Sequence, residues 1–141
     1  MNISIMSRRD AKKYSYRLPF KTAIISITDP DSVDNSFGKS ENLLAVLKLK
    51  FEDVCTGHPG CMTEDDAKRI VNFVNSVENK VDVLVVHCEA GISRSAGVAA
   101  AICRFKNGDD SWIFDSGRYI PNMHCYKLVL QEFYKVEEDK K

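Results

Sequence analysis

Val81-Asp82-Val83-Leu84-Val85-Val86-His87-Cys88-Glu89-Ala90-Gly91-Ile92-Ser93-Arg94-Ser95-Ala96-Gly97 runs from an apolar, β-branched segment through a tight loop into a segment of small residues. The run ending at His87 has the composition of a strand buried on both faces, as in a parallel sheet. A loop from Cys88 to Arg94 follows, with Gly91 at its middle, and Ser95 opens a helix rich in Ala, Val and Ile that extends to about Phe105. Strand, tight loop and helix N-terminus in succession point several backbone N–H groups at one place, with the positive end of the helix dipole behind them. An oxyanion, phosphate above all, fits there. Cys88 stands at the loop entrance, where the same field favours thiolate over thiol. Arg94 closes the loop from the other side with a planar fork that matches two phosphate oxygens.

A Cys and an Arg at this spacing are a weak signal alone in a chain with five cysteines. The preceding strand, His87 beside the Cys, Gly91 inside the loop and a hydroxyl directly after the Arg make the pattern specific. His87-Cys88-Glu89-Ala90-Gly91-Ile92-Ser93-Arg94-Ser95 resembles the His-Cys-x-x-Gly-x-x-Arg-Ser signature of the cysteine-dependent protein tyrosine phosphatases. Within them it is most similar to the dual-specificity branch and its small bacterial and viral relatives. The resemblance implies a general acid, an Asp on a mobile loop that follows a strand upstream of the Cys. Phe51-Glu52-Asp53-Val54 stands in that context, so Asp53 is the expected acid. Glu52, Asp65 and Asp66 compete, but the last two follow Thr63 in what reads as a first helical turn, where acids serve the dipole. Pro121-Asn122 is similar to an element of the branch that sets an Asn beside the site.

At 141 residues the chain reads as one domain, residues 1–141, large enough to bury a core. Its 44% apolar content is that of a soluble globular protein. A net charge of zero with 28% charged residues argues against nucleic acid or an anionic membrane as the main partner. No apolar stretch approaches membrane-spanning length, and Met1 to Met6 is too short and mixed for a signal peptide. Five cysteines without metal-ligand spacing favour free thiols in a reducing, cytoplasmic setting. Cys55, His58 and Cys61 offer only three soft ligands, so zinc is not expected. A regulatory disulfide from Cys88 to Cys55, Cys61, Cys103 or Cys125 is compatible with the sequence, which does not place the partner.

Outward from the loop, Asn2 to Met6 alternates as a short strand, and Ser7 caps a basic helix with Asp10 as a partial capping box. Thr22–Thr28 is a second strand, stopped by Asp29-Pro30-Asp31, where Asp29 reads as turn punctuation rather than as an acid. Asp31 to Ser40 reads as a polar surface loop and Leu43 to Phe51 as a third strand. Cys55 to Met62 is a flexible loop over the pocket mouth. Thr63 caps an amphipathic helix with Ala67, Ile70, Val71, Val74 and Val77 on one face. Asn107-Gly108-Asp109-Asp110 ends the central helix. Ser111 to Arg118 reads as a short helix packing Trp112, Ile113 and Phe114. A last helix covers about Asn122 to Val136, with Val129, Leu130 and Phe133 inward, before a frayed tail from Glu137 to Lys141.

The expected architecture is α/β: a central, mostly parallel sheet of about four strands with helices on both faces. The ligand is expected outside the carboxyl ends of the strands. The expected activity is phosphomonoester hydrolysis without metal or cofactor, with Cys88 as nucleophile, Asp53 as acid and Ser95 hydrogen-bonding the sulfur. The N–H groups of Glu89, Ala90, Gly91, Ile92, Ser93 and Arg94 and the Arg94 guanidinium hold the phosphate oxygens, while His87 orders the loop and Asn122 supports the site. Substrate is a phosphorylated protein, tyrosine first, with phosphoinositide or nucleotide-end phosphates open. A phosphate-binding module without catalysis and a rhodanese-like sulfurtransferase are the other classes.

Overall fold

β1 (Asn2–Ser7), β2 (Thr22–Thr28), β3 (Leu43–Lys50) and β4 (Val83–Cys88) form one sheet in the order β1-β4-β2-β3. The computed structural model describes residues 1–33 and 36–141. Every pairing is parallel, so the sheet is wholly rather than mostly so. The central strands carry the β-branched runs because they are covered twice. All seven residues of β2 are buried, as are the last five of β4.

The pleat divides these side chains between two layers. Ile24 and Val85, paired across β2 and β4, face α1 (Arg8–Tyr14) and cluster with its Ala11. Ala23, Ile25, Ile27, Leu84 and Val86 face the larger layer, which holds α2 (Glu64–Val77), α3 (Arg94–Asn107), α4 (Ser111–Phe114) and α5 (Met123–Asp139). α2 is placed by its apolar stripe and by a complete capping box, in which Thr63 accepts from the Asp66 N–H and Asp66 accepts in return. α3 has no such stripe. Its first ten residues are all buried, and Ala96, Gly97, Ala99, Ala100 and Ala101 are small enough to admit the sheet on one side and α5 on the other.

Several expected boundaries shift for local reasons. β4 includes Cys88, and α3 starts at Arg94, one residue before Ser95. β3 stops at Lys50. α4 ends at Phe114 rather than near Arg118, because Gly117 turns the chain with φ +71. Of its three expected core residues only Ile113 is buried, while Trp112 and Phe114 are 44% and 38% exposed and rest edge-on against Tyr119 and Tyr126. α5 continues through Glu137 and Glu138 to Asp139, since nothing in that tail breaks a helix. Val129 and Phe133 are buried in it as expected, whereas Leu130 is only half-buried. The expected surface loop 31–40 includes Asp34 and Asn35, which lie outside the described residues. Elsewhere that segment is partly inward: Phe37 meets the His87 ring edge-on, and the buried Gly38 N–H donates to Ser15 Oγ at 2.7 Å. Among the described residues, no helix is long and apolar enough to cross a membrane.

Candidate active site

Because all four strands run the same way, their carboxyl ends share one edge of the sheet. Ser7, Thr28, Lys50 and Cys88 end there, so the segments opening at Arg8, Asp29, Phe51 and Glu89 are neighbours despite their distance in sequence. The loop from Cys88 to Arg94 is held against the end of β1. Arg8 N–H donates to the Glu89 carbonyl at 3.2 Å. Gly91 sits at φ +72, and a Cβ there would lie 2.6 Å from backbone atoms of Met6 and Ser7. Glycine is therefore required twice, by conformation and by the approach of β1.

Cys88 is buried on the floor of this loop, its Sγ 3.1 Å from Ser95 Oγ. Burial by itself pushes the thiol up. It is outweighed by the Ser95 hydroxyl and the N–H groups of Ser95, Gly91 and Ile92, so the Cys88 pKa lies below the ordinary thiol value. His87 next to it is fully buried, with Nδ1 3.1 Å from the Cys88 carbonyl and Nε2 2.7 Å from Ser26 Oγ. A carbonyl only accepts, so Nδ1 carries the proton and Nε2 accepts from Ser26. Burial, opposed by that carbonyl bond, lowers the His87 pKa and keeps the ring neutral. All five cysteines are free thiols: Cys55 is exposed, Cys61 half-exposed, and Cys103 and Cys125 buried. Burial pushes the Cys103 and Cys125 thiols above the ordinary range, Cys125 the further.

Arg94 is 5% exposed. Its Nη1 donates to the Phe51 carbonyl and to Asp29 Oδ1, both at 2.8 Å, while its buried Nε has no partner among the described residues. Asp29 thus does more than punctuate a turn; it anchors the guanidinium. The signal was its place directly after a parallel strand, on the edge where strand ends meet. Glu89 pairs with Arg8 Nη1 at 3.0 Å and accepts from Ser32 at 3.4 Å, so its carboxylate is tied to the wall made by the β2 exit.

Asp53 stands across the pocket. Its Oδ1 accepts from Ser93 Oγ and from Asn122 Nδ2, both at 2.8 Å. Ser93 precedes α3 yet makes no side-chain cap, because its hydroxyl is committed to Asp53. Asn122 is the N-cap of α5, accepting from the Cys125 N–H, and its own N–H donates to the Ser93 carbonyl at 2.9 Å. A Cβ on Gly97 would run into the Asn122 carbonyl, so this glycine lets the start of α5 lie on the start of α3. The segment after Asp53 is pinned as well. Glu52 N–H donates to the Gly60 carbonyl at 2.8 Å, and His124 bridges Thr56 Oγ1 (2.9 Å, Nδ1) and the Met62 carbonyl (2.8 Å, Nε2). Sequence reading passed over His124, Ser26 and Arg8, whose partners are fixed only by the fold.

The expected site residues therefore converge: Cys88, Arg94, Asp53, Glu89, Ala90, Ile92 and Ser93 line one cavity of about 420 Å³, with Ile120 at its rim. Gly91, Ser95, His87 and Asn122 support it from behind. Among the described residues no cluster of three or more His, Cys, Asp or Glu is placed to hold a metal ion.

No protein-family model matches the chain, and no curated protein sequence does. Solved structures do. The human tyrosine phosphatase-like serine/threonine/tyrosine-interacting protein superposes with a TM-score of 0.66 at 23% identity, covering 96% of this chain and 93% of its own. Human DUSP28 gives 0.66 at 16% identity, covering 99% and 95%. PTPMT1, solved in complex with PI(5)P, gives 0.64 at 14% identity, covering 99% and 95%. The sheet order, the helical layers and these superpositions together identify the fold of this chain as that of the small dual-specificity and tyrosine phosphatases.

Proposed function

We propose that this chain hydrolyses phosphomonoesters through a cysteinyl-phosphate, with phosphotyrosyl proteins as its leading substrates and phosphoserine or phosphothreonine accepted less well. The observation that carries this reading is the pairing of a thiol lowered by four hydrogen bonds with a buried Arg94 Nε that lacks an acceptor. An orphan buried donor costs about 1–3 kcal/mol, and an oxyanion in the loop would satisfy it. Fold similarity to phosphatases adds support.

In the first step Cys88 thiolate attacks phosphorus, the bond to the leaving oxygen breaks, and Asp53 gives that oxygen its proton. Both hydrogen bonds to Asp53 fall on Oδ1, which leaves Oδ2 to carry the proton. The loop N–H groups and Arg94 hold the three equatorial oxygens as charge develops on them. In the second step water attacks phosphorus, Asp53 carboxylate takes its proton, and sulfur departs as thiolate with the Ser95 hydroxyl donating to it. His87, neutral and bonded at both ring nitrogens, orders the loop. Ile92 and Ile120, exposed on the rim, suit an aromatic ring. The variable loop positions Glu89, Ala90, Ile92 and Ser93 add no cation to Arg94, which disfavours a multiply charged head group.

The test is hydrolysis of phenyl phosphate across the acid-to-neutral range with a metal chelator present. Turnover is expected to vanish in Cys88→Ser, and Asp53→Asn is expected to cost about two to four decades in kcat. In kcat/KM, which reports only formation of the cysteinyl-phosphate, an ester with a good leaving group needs no proton and should lose far less in Asp53→Asn. Unchanged turnover in Cys88→Ser would refute the nucleophile. No turnover at all, with vanadate still shielding Cys88 from alkylation, would make this a phosphate-binding module instead.

A further inference from the structure

A second cavity, also about 420 Å³, adjoins the first and shares Asp53, Ser93 and Ile120 with it. The two form one trough with Asp53 at the junction. An in-line displacement places the leaving oxygen opposite Cys88, where Asp53 meets it. The part of the leaving group past the aromatic ring then lies beyond Asp53, in the second cavity. Its walls are chemically distinct from those of the phosphate loop. Val54, Ile120, Pro121 and Met123 supply apolar surface. The hydroxyl, amide and imidazole side chains there are already committed: Ser93 to Asp53, Asn122 to Asp53 and Val54, Thr56 to His124, and His124 to Met62, while Cys55 adds only a free thiol. Lys127, exposed one turn into α5, is the only ammonium in the lining and has no partner among the described residues. Asp53 is the only carboxylate among the described lining residues.

We propose that this second cavity is a leaving-group subsite that selects phosphopeptides with an acidic side chain next to the phosphorylated residue, read by Lys127. The inference deepens the phosphatase reading and rests on it. The apolar walls take the peptide's hydrocarbon portion, and Lys127 supplies the one uncommitted charge. A neutral or basic neighbour leaves that charge without a counterpart.

The experiment compares two phosphotyrosyl peptides identical except for Glu or Gln flanking the phosphotyrosine. The leaving oxygen is the same in both, so chemistry at phosphorus is held constant. Wild type should favour the Glu peptide in kcat/KM by about two- to fivefold, the range of an exposed ion pair, chiefly through KM. Lys127→Met should bring the ratio to unity and Lys127→Glu should invert it. Lys135→Met, two turns further along α5, should keep the wild-type ratio. Equal use of the two peptides by wild type, or a preference that survives Lys127→Met, overturns the subsite. Calorimetric binding of both peptides to Cys88→Ser, with and without Lys127→Met, gives the same ordering without turnover. Failure of wild type to hydrolyse phenyl phosphate would thus defeat the phosphatase reading separately, and binding would still decide the subsite.

Discussion

Burial opposes the Cys88 thiolate, and the Ser95 hydroxyl heads the four hydrogen bonds that reverse its effect. Removing that donor should therefore raise the thiol pKa. Alkylation of Cys88 by iodoacetamide, followed by peptide mass mapping to separate it from Cys55 and Cys61, should reach half its maximal rate at a lower pH than an ordinary thiol in wild type. Ser95→Ala should move that midpoint to higher pH, so reaction at neutral pH slows. A midpoint that stays put would assign the depression to the backbone N–H groups alone. At this scale much was legible in advance. Cys88, Gly91, Arg94 and Ser95 fall within eight consecutive residues, and strand–loop–helix geometry alone brings them together. Asp29 was not legible as a partner of Arg94, since an Asp-Pro after a strand is ordinary turn chemistry.

At the scale of elements, the segment from Phe51 to Met62 has no regular secondary structure, yet it carries Asp53. Side chains at the start of α5 hold it: Asn122 on Asp53 and Val54, and His124 on Thr56 and Met62. In the proposed mechanism His124 is accordingly a positioning residue for Asp53. His124→Ala is expected to lower kcat/KM about tenfold for phenyl phosphate, because a misplaced acid serves a poor leaving group badly. The kcat/KM of an ester with a good leaving group, which is set by the first step alone and needs no proton, should change little. A general structural lesion would slow both esters alike, and that result would remove His124 from the acid's support. The extents of α4 and α5 differ from the hydrophobic pattern because a positive-φ glycine follows α4 and an exposed charged tail free of helix breakers extends α5. Hydrophobic pattern alone carries neither piece of information.

For the whole molecule, Arg94 at the head of α3 is bonded to the segments leaving β2 and β3, so an anion bound at its Nε engages three parts of the fold together. Vanadate at about a hundred times its Kd should then add about 2.7 kcal/mol of stability by mass action. For a chain of this size that is a rise in Tm of about 5–10 °C. Arg94→Met should abolish the rise even if the variant's own Tm is unchanged, as read by scanning calorimetry. The parallel α/β architecture and the tight loop from Cys88 to Arg94 were determined by the sequence, because β-branched runs, capping residues and a nine-residue motif act through neighbours in the chain. The contacts of Arg94 with Asp29, of Asp53 with Asn122 and of Thr56 with His124 span 65, 69 and 68 residues. These, like the trough that Asp53 divides, were decided only by tertiary structure, since a parallel sheet gathers its strand ends at one edge whatever their separation in the chain.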